Sequence, residues 1–220
     1  AKTPSGVTPS ADVERWPTPS QLARRTALRA ASDHAVEDAY DLWEVSPYRL
    51  EGVENADDWI DRLFPEDNPW LCVMKNHAGD ARTRRREKWL FVTPECSLIV
   101  PSPMTGPSGI NKNGERAHRC LENTGPRRWL IIEFDSGTAD EQAQLHWHLE
   151  QCAIVNGWPR LVMAVHSGGK SIHGWYGPIT DDTATRELFA YARYIGADTA
   201  TWTPCQPVRM PAGTRENGNP

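Results

Sequence analysis

The second half of the chain alternates short apolar runs with amphipathic segments, in an order that few folds accommodate. Short apolar runs are typical of strands, whereas apolar residues three or four positions apart predict a helix with one buried face. These patterns predict strands at 129–134, 161–166, 172–176 and 207–210, and helices at 139–154 and 182–194. The order is βαββαβ. It predicts an α+β protein with both helices on one face of a small sheet.

The first half is predicted to be a second, mixed module. Residues 1–20 are rich in proline and serine, which predicts a flexible tail, and Ser20 is placed to cap the helix that follows. The patterns predict helices at 21–43 and 55–63 and strands at 70–74, 89–92 and 97–100. Segment 101–126 is rich in Gly, Pro and Asn and predicts a long loop of the kind used as a lid. We expect modules 21–128 and 129–220 to form one integrated domain.

Composition argues against several classes of protein. The net charge of −5 argues against a chain coated in basic residues. The five cysteines are scattered without zinc-finger spacing, so neither a structural zinc nor a disulfide framework is predicted, and a cytoplasmic location is expected. No apolar run approaches the roughly 20 residues that span a bilayer. We therefore expect no membrane association.

Two groups of basic residues stand out against this acidic background. The first, called here the 82–88 cluster, is predicted to bind DNA phosphates and consists of Arg82, Arg84, Arg85, Arg86 and Lys88. The second lies in a Gly-, Asn- and Pro-rich stretch and consists of Lys112, Arg116, Arg119, Arg127 and Arg128. The alternative for such a charge run is a solvated surface without a partner.

The predicted strand at 129–134 leads into two carboxylates separated by one residue. Side chains alternate along a strand, so Glu133 and Asp135 are expected on the same face. Converging carboxylates repel each other unless a cation lies between them, and Mg²⁺ and Mn²⁺ favour oxygen ligands. The pair predicts a Mg²⁺ or Mn²⁺ site. The alternative is two solvent-facing charges at a strand end.

A glycine-rich turn separates the predicted strands 161–166 and 172–176. Its two glycines would allow backbone N–H groups to approach a phosphate closely. Lys170, Ser171 and His173 add side-chain donors, with Ser171 and His173 on one face if the segment is extended. The turn is predicted to bind a nucleoside triphosphate. The alternative is an ordinary hairpin with a packed histidine.

Two more residues complete the candidate site. Asp198 follows the second predicted helix of this half and would add a third carboxylate to a two-metal site, although an isolated Asp there is also typical of a turn. Arg209 opens the sequence Arg-Met-Pro-Ala-Gly, and a guanidinium binds a phosphate through two hydrogen bonds.

Two further motifs point to other functions. Residues 164–171 nearly match a P-loop, but the Ile-His-Gly-Trp-Tyr-Gly-Pro that follows breaks the helix that such a loop must begin. His146 and His148 have the form of the metal motif of rolling-circle nicking enzymes, with Tyr191 or Tyr194 as nucleophile. That chemistry needs both histidines on one face of a strand, whereas they lie in a predicted helix.

In order and spacing, the three site features resemble the three motifs of archaeo-eukaryotic primases and their plasmid, phage and bacterial primase-polymerase relatives. In that family the first motif supplies two acidic metal ligands, the second reads Ser-x-His and holds the nucleotide phosphates, and the third supplies a further acid. The resemblance gives these roles to Glu133 and Asp135, Ser171 and His173, and Asp198. Asp181 and Asp182 are competitors for the third role and are disfavoured because they are predicted to begin a helix. The family usually has Asp-x-Asp first, so Glu133 is a departure that keeps a carboxylate.

The resemblance covers roughly residues 129–215 and implies an RRM-like βαββαβ catalytic core fused to an N-terminal α/β module. It implies a DNA-template-directed nucleotidyltransferase, a primase or DNA polymerase, that joins NTPs or dNTPs with Mg²⁺ or Mn²⁺. Single-stranded or primed DNA is the expected partner. The polar end of the chain indicates a fragment of a longer protein, with a fused or associated helicase. The alternatives are a catalytically degenerate nucleic-acid-binding module and a nicking endonuclease.

Overall fold

The protein has a mixed α+β fold with antiparallel sheets, which confirms the predicted class. The computed structural model describes residues 15–32, 36–49, 55–75, 79–90, 96–169 and 171–213. The helices of these residues are α1 (Gln21–Ser32), α2 (Ala39–Val45), α3 (Ala56–Leu63), α4 (Ala139–Asn156) and α5 (Asp182–Tyr194). The strands are β1 (Trp70–Met74), β2 (Arg82–Arg85), β3 (Leu98–Ile99), β4 (Gly109–Ile110), β5 (Arg116–Ala117), β6 (Leu130–Glu133), β7 (Leu161–His166), β8 (Ile172–Tyr176) and β9 (Val208–Arg209).

The predicted βαββαβ order is present, but its last strand pairs elsewhere. Strands β6, β8 and β7 form a three-stranded antiparallel sheet with β8 in the middle. Strand β9 pairs instead with β3, in a sheet of order β2-β1-β3-β9. The prediction of one sheet for all four strands is therefore wrong. The last strand of the second half completes the sheet of the first half, which joins the two halves through backbone hydrogen bonds.

The sheet β6-β8-β7 is buried on both faces. Successive side chains of a strand point to opposite faces. On one face, Ile132 and Phe134 share a core cluster with Leu145 of α4 and Phe189 of α5. This face therefore carries the helices of the second half.

The opposite face of the same sheet packs against the first half of the chain. Ile131 of β6 and Trp175 of β8 share a core cluster with Leu71 of β1, Ile99 of β3 and Trp59 of α3. This second core lies between the two sheets. The apolar residues of this face end before the strands do. A side chain that follows them at a strand end therefore lies at the rim of the core.

The predicted helix at 21–43 is two helices. Asp38 has an extended backbone and begins α2, because its carboxylate accepts hydrogen bonds from the amides of Tyr40 and Asp41 at 2.8 and 2.9 Å. Such a cap begins a new helix and cannot lie inside a continuous one. Residues 33–35 lie outside the described residues. None of the helices in the described ranges is both long enough and apolar enough to cross a membrane.

Strand prediction in the first half is right at 70–74 and 97–100 and wrong at 89–92. Trp89 and Leu90 form a turn after a short 3₁₀ helix at Arg86–Lys88, and residues 91–92 lie outside the described part. Strand β2 was missed because three of its four residues are exposed arginines and only Thr83 is buried, so it has no apolar alternation. The basic 82–88 cluster therefore begins with an edge strand.

The segment 101–126 packs against the sheet of the first half and contains short strands, so the prediction of one long loop is wrong. Met104 forms isolated bridges with Trp70 and Thr124, and β4 and β5 form a short hairpin. The Thr83 hydroxyl donates a hydrogen bond to the His118 carbonyl at 2.6 Å. Hydrogen bonds to neighbouring strands hold this segment in place. No local sequence pattern indicates such bonds.

The end of the predicted tail belongs to the fold. Residues 1–14 lie outside the described residues. Trp16 packs edge-on against Phe189 and Trp202, with ring centroids 4.8 and 4.7 Å apart. Ser20 caps α1 as predicted, since its hydroxyl accepts a hydrogen bond from the Ala23 amide at 3.2 Å.

Candidate active site

Glu133, Ser171 and His173 meet at one end of the sheet β6-β8-β7. Glu133 and His173 are directly opposite each other in the register of β6 and β8, so their side chains lie on the same face. His173 Nε2 lies 3.2 Å from Glu133 Oε1, and the Ser171 side chain hydrogen-bonds to the same carboxylate. The predicted shared face of Ser171 and His173 is confirmed. The first two sequence motifs are thus in direct contact.

The surroundings of Glu133 keep its carboxylate ionised. Burial by itself raises the pKa of Glu133, but His173 opposes it by hydrogen bonding and charge, and Ser171 and Asp135 add hydrogen bonds. The net effect lowers the pKa of Glu133 from 4.5 to about 2. The other ring nitrogen of His173, Nδ1, is buried and has no hydrogen-bond partner among the described residues.

Asp135 lies just beyond the end of β6 and is exposed. Its side chain lies close enough to Glu133 to influence the pKa of that carboxyl group, which agrees with the prediction that both carboxyl groups share a face. Two carboxyl groups so close repel each other when both are ionised, and a cation relieves that repulsion. The pair therefore has the chemistry of a site for a hard metal ion.

The backbone of Asp198 contacts the backbone of Glu133 at the end of β6. Its amide donates a hydrogen bond to the Glu133 carbonyl at 2.9 Å. Its carboxylate accepts a hydrogen bond from the Ala200 amide at 3.2 Å, which is the local bond of a turn residue. Within the described ranges, no three His, Cys, Asp or Glu side chains are grouped so that they could hold a metal ion. The three predicted carboxylates are thus neighbours in the fold without forming a complete ligand set.

The glycine-rich turn between β7 and β8 is closed by its own hydrogen bonds. The Ser167 amide donates to the Ser171 carbonyl at 2.8 Å, and the Ser171 amide donates to the Ser167 hydroxyl at 3.2 Å. Gly168, with a φ of 69°, donates its amide to His166 Nδ1 at 3.1 Å. The amides of Ser167, Gly168 and Ser171 are therefore used within the hairpin. Lys170 lies outside the described residues.

Arg209 lines a cavity of about 460 Å³ beside this hairpin. The opposite wall includes Ser167, whose hydroxyl lies 3.4 Å from the hydroxyl of Ser171. Arg209 Nη1 donates to the Ser97 carbonyl at 3.4 Å. A Cβ at Gly213 would lie 2.6 Å from the Cys96 carbonyl oxygen, which explains the glycine of Arg-Met-Pro-Ala-Gly. The predicted phosphate-binding arginine therefore lies in a cavity that connects, through two serines, with Glu133.

Two features of this cavity were not predicted from the sequence: its apolar wall, and the position of Ser167 between the cavity and Ser171. Trp43, Tyr48 and Trp59, which come from the first half, line the cavity. No local pattern predicts their approach to β7. Ser167 was predictable, because the period of two in β7 places it on the same face as Val165.

The 82–88 cluster has two kinds of residue. Arg82, Arg84 and Arg85 are exposed on the edge strand β2. The guanidinium carbons of Arg84 and Arg85 lie 5.0 and 4.6 Å from the ring centroids of Trp89 and Trp70. These stacked guanidinium groups are oriented before any partner binds.

The other two members of the 82–88 cluster lie next to acidic side chains, whereas Arg82 and Arg85 donate to the backbone carbonyls of Ala81 and Asn68. Arg86 Nη1 donates to the Phe64 carbonyl at 2.7 Å, and Arg86 Nε lies 3.4 Å from Asp61. Exposed Lys88 lies 3.8 Å from Glu87. Arg86 therefore stabilises the fold. In the second basic group, Arg119, Arg127 and Arg128 likewise donate to backbone carbonyls.

The two motifs that pointed to other functions do not form the required geometry. His146 is fully buried, with Nδ1 3.0 Å from the Tyr176 hydroxyl and Nε2 3.2 Å from the Ile172 carbonyl. Burial lowers the pKa of His146 to about 4. His148 contacts Tyr191 instead, so the two histidines do not converge. After the glycine-rich turn comes strand β8, so no helix begins there as a P-loop requires.

No protein-family model matches the chain, and no curated protein or solved structure is significantly similar to it.

Proposed function

We propose that the chain is the catalytic core of a DNA-template-directed nucleotidyltransferase, a primase or DNA polymerase of the archaeo-eukaryotic type. One observation carries the proposal. Three sequence motifs that are far apart in the chain come together, with Glu133, Ser171 and His173 in side-chain contact and the Asp198 amide bonded to the Glu133 carbonyl.

Two carboxyl groups of the site, those of Glu133 and Asp135, are of the ligand type that a hard divalent metal ion favours. Glu133 stays ionised over the physiological pH range, and Asp135 contacts it from the exposed side. Glu133, Asp135 and Asp198 would hold Mg²⁺ or Mn²⁺, the cations that favour carboxylate oxygens. Bound there, such ions would activate a primer 3′-hydroxyl and neutralise charge on the triphosphate and the leaving pyrophosphate.

The protein's own side chains would orient the nucleotide. His173 is held against Glu133 by a contact of 3.2 Å, so its ring is fixed next to the proposed metal ligands. Ser171 and Arg209 are side-chain donors at the hairpin and in the neighbouring cavity, where a triphosphate of an NTP or dNTP would find hydrogen bonds and positive charge. The exposed arginines of β2 would contact the phosphates of a single-stranded or primed DNA template.

Primer extension on single-stranded DNA with Mg²⁺ or Mn²⁺ tests the proposal, with Asp135→Asn as the variant. Loss of a metal ligand that stabilises the transition state by about 4 kcal/mol lowers the rate about 10³-fold. The fold should be unaffected, because Asp135 is exposed. Asp182→Asn is the matched control, since Asp182 is exposed in the first turn of α5. A full rate in Asp135→Asn would remove this residue from the mechanism.

A catalytically degenerate nucleic-acid-binding module is the second candidate. One observation favours it: the described part of the chain contains no group of three side chains that could hold a metal ion. In the same assays this candidate predicts DNA binding without any extended product from wild type under either metal ion. A nicking enzyme would instead form a covalent tyrosyl-DNA adduct, which the buried position of His146 disfavours.

A further inference from the structure

One aromatic residue in the wall of the cavity beside Arg209 lies outside the hydrophobic cores. This residue is Trp43, which is half-buried near the end of α2. Tyr48 and Trp59 line the same cavity and pack in the core between the two sheets. Within the described ranges, Trp43 belongs to none of the core clusters, and its ring pairs with the exposed Tyr40 ring at a centroid distance of 5.5 Å. Packing of the core therefore does not account for a large aromatic ring at this position.

The cavity has an apolar part and a polar end. Its volume of about 460 Å³ lies within the range of about 300–1,000 Å³ that is typical of small-molecule sites. The apolar lining comes from both halves of the chain and includes Trp43, Tyr48, Met163, Met210 and Pro211. Arg209 and Ser167 supply charge and hydrogen bonds, and Ser167 leads through Ser171 to the Glu133 carboxylate. A ligand that matches both parts has a flat apolar body and an anionic group directed towards Glu133.

We propose that Trp43 stacks on the base of the incoming nucleotide, while the phosphates of that nucleotide point towards Arg209 and Ser167. The inference rests on the proposed function, because it gives a position to the base of the same NTP or dNTP. Every base has a π-face, so one aromatic ring can bind all four bases. Stacking of this kind does not distinguish one base from another. The site should therefore accept all four nucleotides and leave their selection to the template.

The backbone around Trp43 is fixed on both sides. The preceding residue, Leu42, is fully buried in the core on the helical side of the sheet β6-β8-β7. Five residues after Trp43, the Tyr48 amide donates a hydrogen bond to the Val162 carbonyl of β7 at 2.7 Å. The ring is thus attached to a backbone that is held in place before any ligand binds. Such preorganisation lowers the entropic cost of binding.

Calorimetric titration with the four NTPs and with inorganic tripolyphosphate, in Mg²⁺ and without DNA, tests this proposal. Wild type should bind all four NTPs with similar affinities. Trp43→Ala should weaken the binding of each NTP by at least about 5-fold, the least that loss of one base-stacking ring costs, and should leave tripolyphosphate binding unchanged. Trp43→Phe keeps a ring and should restore most of the affinity. Trp158→Ala is the matched control, because Trp158 is also half-buried and lines a different cavity. Equal NTP affinities of wild type and Trp43→Ala would overturn the proposal, as would an equal loss of affinity for tripolyphosphate.

A second measurement uses the wild-type protein alone, so a variant that fails to fold does not affect it. The photoreactive nucleotides 8-azido-ATP and 4-thio-UTP carry their reactive group on the base. After irradiation they should label the tryptic peptide of residues 30–49, which contains Trp43 and Tyr48, and excess ordinary NTP should prevent the labelling. Labelling confined to other peptides would overturn the proposal.

The two proposals fail in distinguishable ways. Primer extension by wild type, together with unchanged NTP binding in Trp43→Ala, would contradict the base-stacking inference alone. NTP binding that depends on Trp43, without any extended product, would contradict the proposed polymerase activity alone.

Discussion

His173→Gln removes the imidazole that faces the Glu133 carboxylate and keeps a side chain of similar length. In the native protein, burial raises the pKa of Glu133, whereas His173, Ser171 and Asp135 together lower it to about 2. Burial remains in the variant, while the largest opposing influence is lost. Glutamine keeps at most a neutral hydrogen bond and lacks the charge of the imidazolium, so we expect the pKa of Glu133 to rise.

The change in stability follows from linkage between protonation and folding. A native pKa of about 2, against 4.5 in the unfolded chain, corresponds to about 3.4 kcal/mol at neutral pH. The Glu133 side chain is 19% exposed, and water screens part of this interaction. We expect about half of that free energy to depend on His173, so His173→Gln should lower the free energy of unfolding by about 1.5–2 kcal/mol at pH 7.

The sign of the pH dependence is determined by the lowered pKa. A carboxylate with a depressed native pKa stabilises the fold above its unfolded pKa, and this contribution is lost as the pH falls. For Glu133 the loss occurs between about 4.5 and about 2. The stability difference between wild type and His173→Gln should therefore be less than half as large at pH 3 as at pH 5.

Urea unfolding at several pH values, with NMR titration of the Glu133 side-chain carboxyl carbon, measures both quantities. His118→Gln is the matched control, because His118 is exposed and its Nδ1 contacts only the Pro107 carbonyl in the described structure. If Glu133 titrates near 4.5 in the wild type, the electrostatic argument is refuted. Equal unfolding free energies of wild type and His173→Gln at pH 7 would refute it as well.

Two further predictions concern the exposed arginines of β2, which are proposed to contact template DNA, and the packing of α4 against β8. Replacement of the three arginines of β2 by serine should reduce the magnitude of the slope of log affinity for single-stranded DNA against log salt concentration by about 2, because each phosphate contact contributes about 0.7. As a control, replacement of the exposed Arg25 and Arg29 of α1 by serine should leave this slope unchanged. An unchanged slope would mean that the β2 arginines are exposed to solvent and do not bind DNA phosphates. Gly174→Ala should destabilise the fold by about 2–4 kcal/mol in urea unfolding, because its Cβ would lie 2.5 Å from His146 Nδ1. Gly106→Ala, whose Cβ meets nothing within 4 Å, should be nearly neutral, and equal effects would contradict the packing argument.

Local patterns in the sequence determined the elements of the second half and part of the site. The predicted bounds of β7, β8 and α5 agree with the structure, because the two strands are short, largely buried runs and Asp181 caps the start of α5. The period of two along a strand also placed Ser171 and His173 on one face. Such predictions succeed because each depends on residues close together in the chain.

Only the tertiary structure decided which elements became neighbours. A strand pattern records which side chains are buried and does not record the partner, so the pairing of β9 with β3 was not predictable. The same holds for Arg86, whose partners Asp61 and the Phe64 carbonyl were invisible in a run of basic residues. The contact of Glu133 with His173 depends on the register of β6 and β8, and register is selected by the packing of both faces of the sheet.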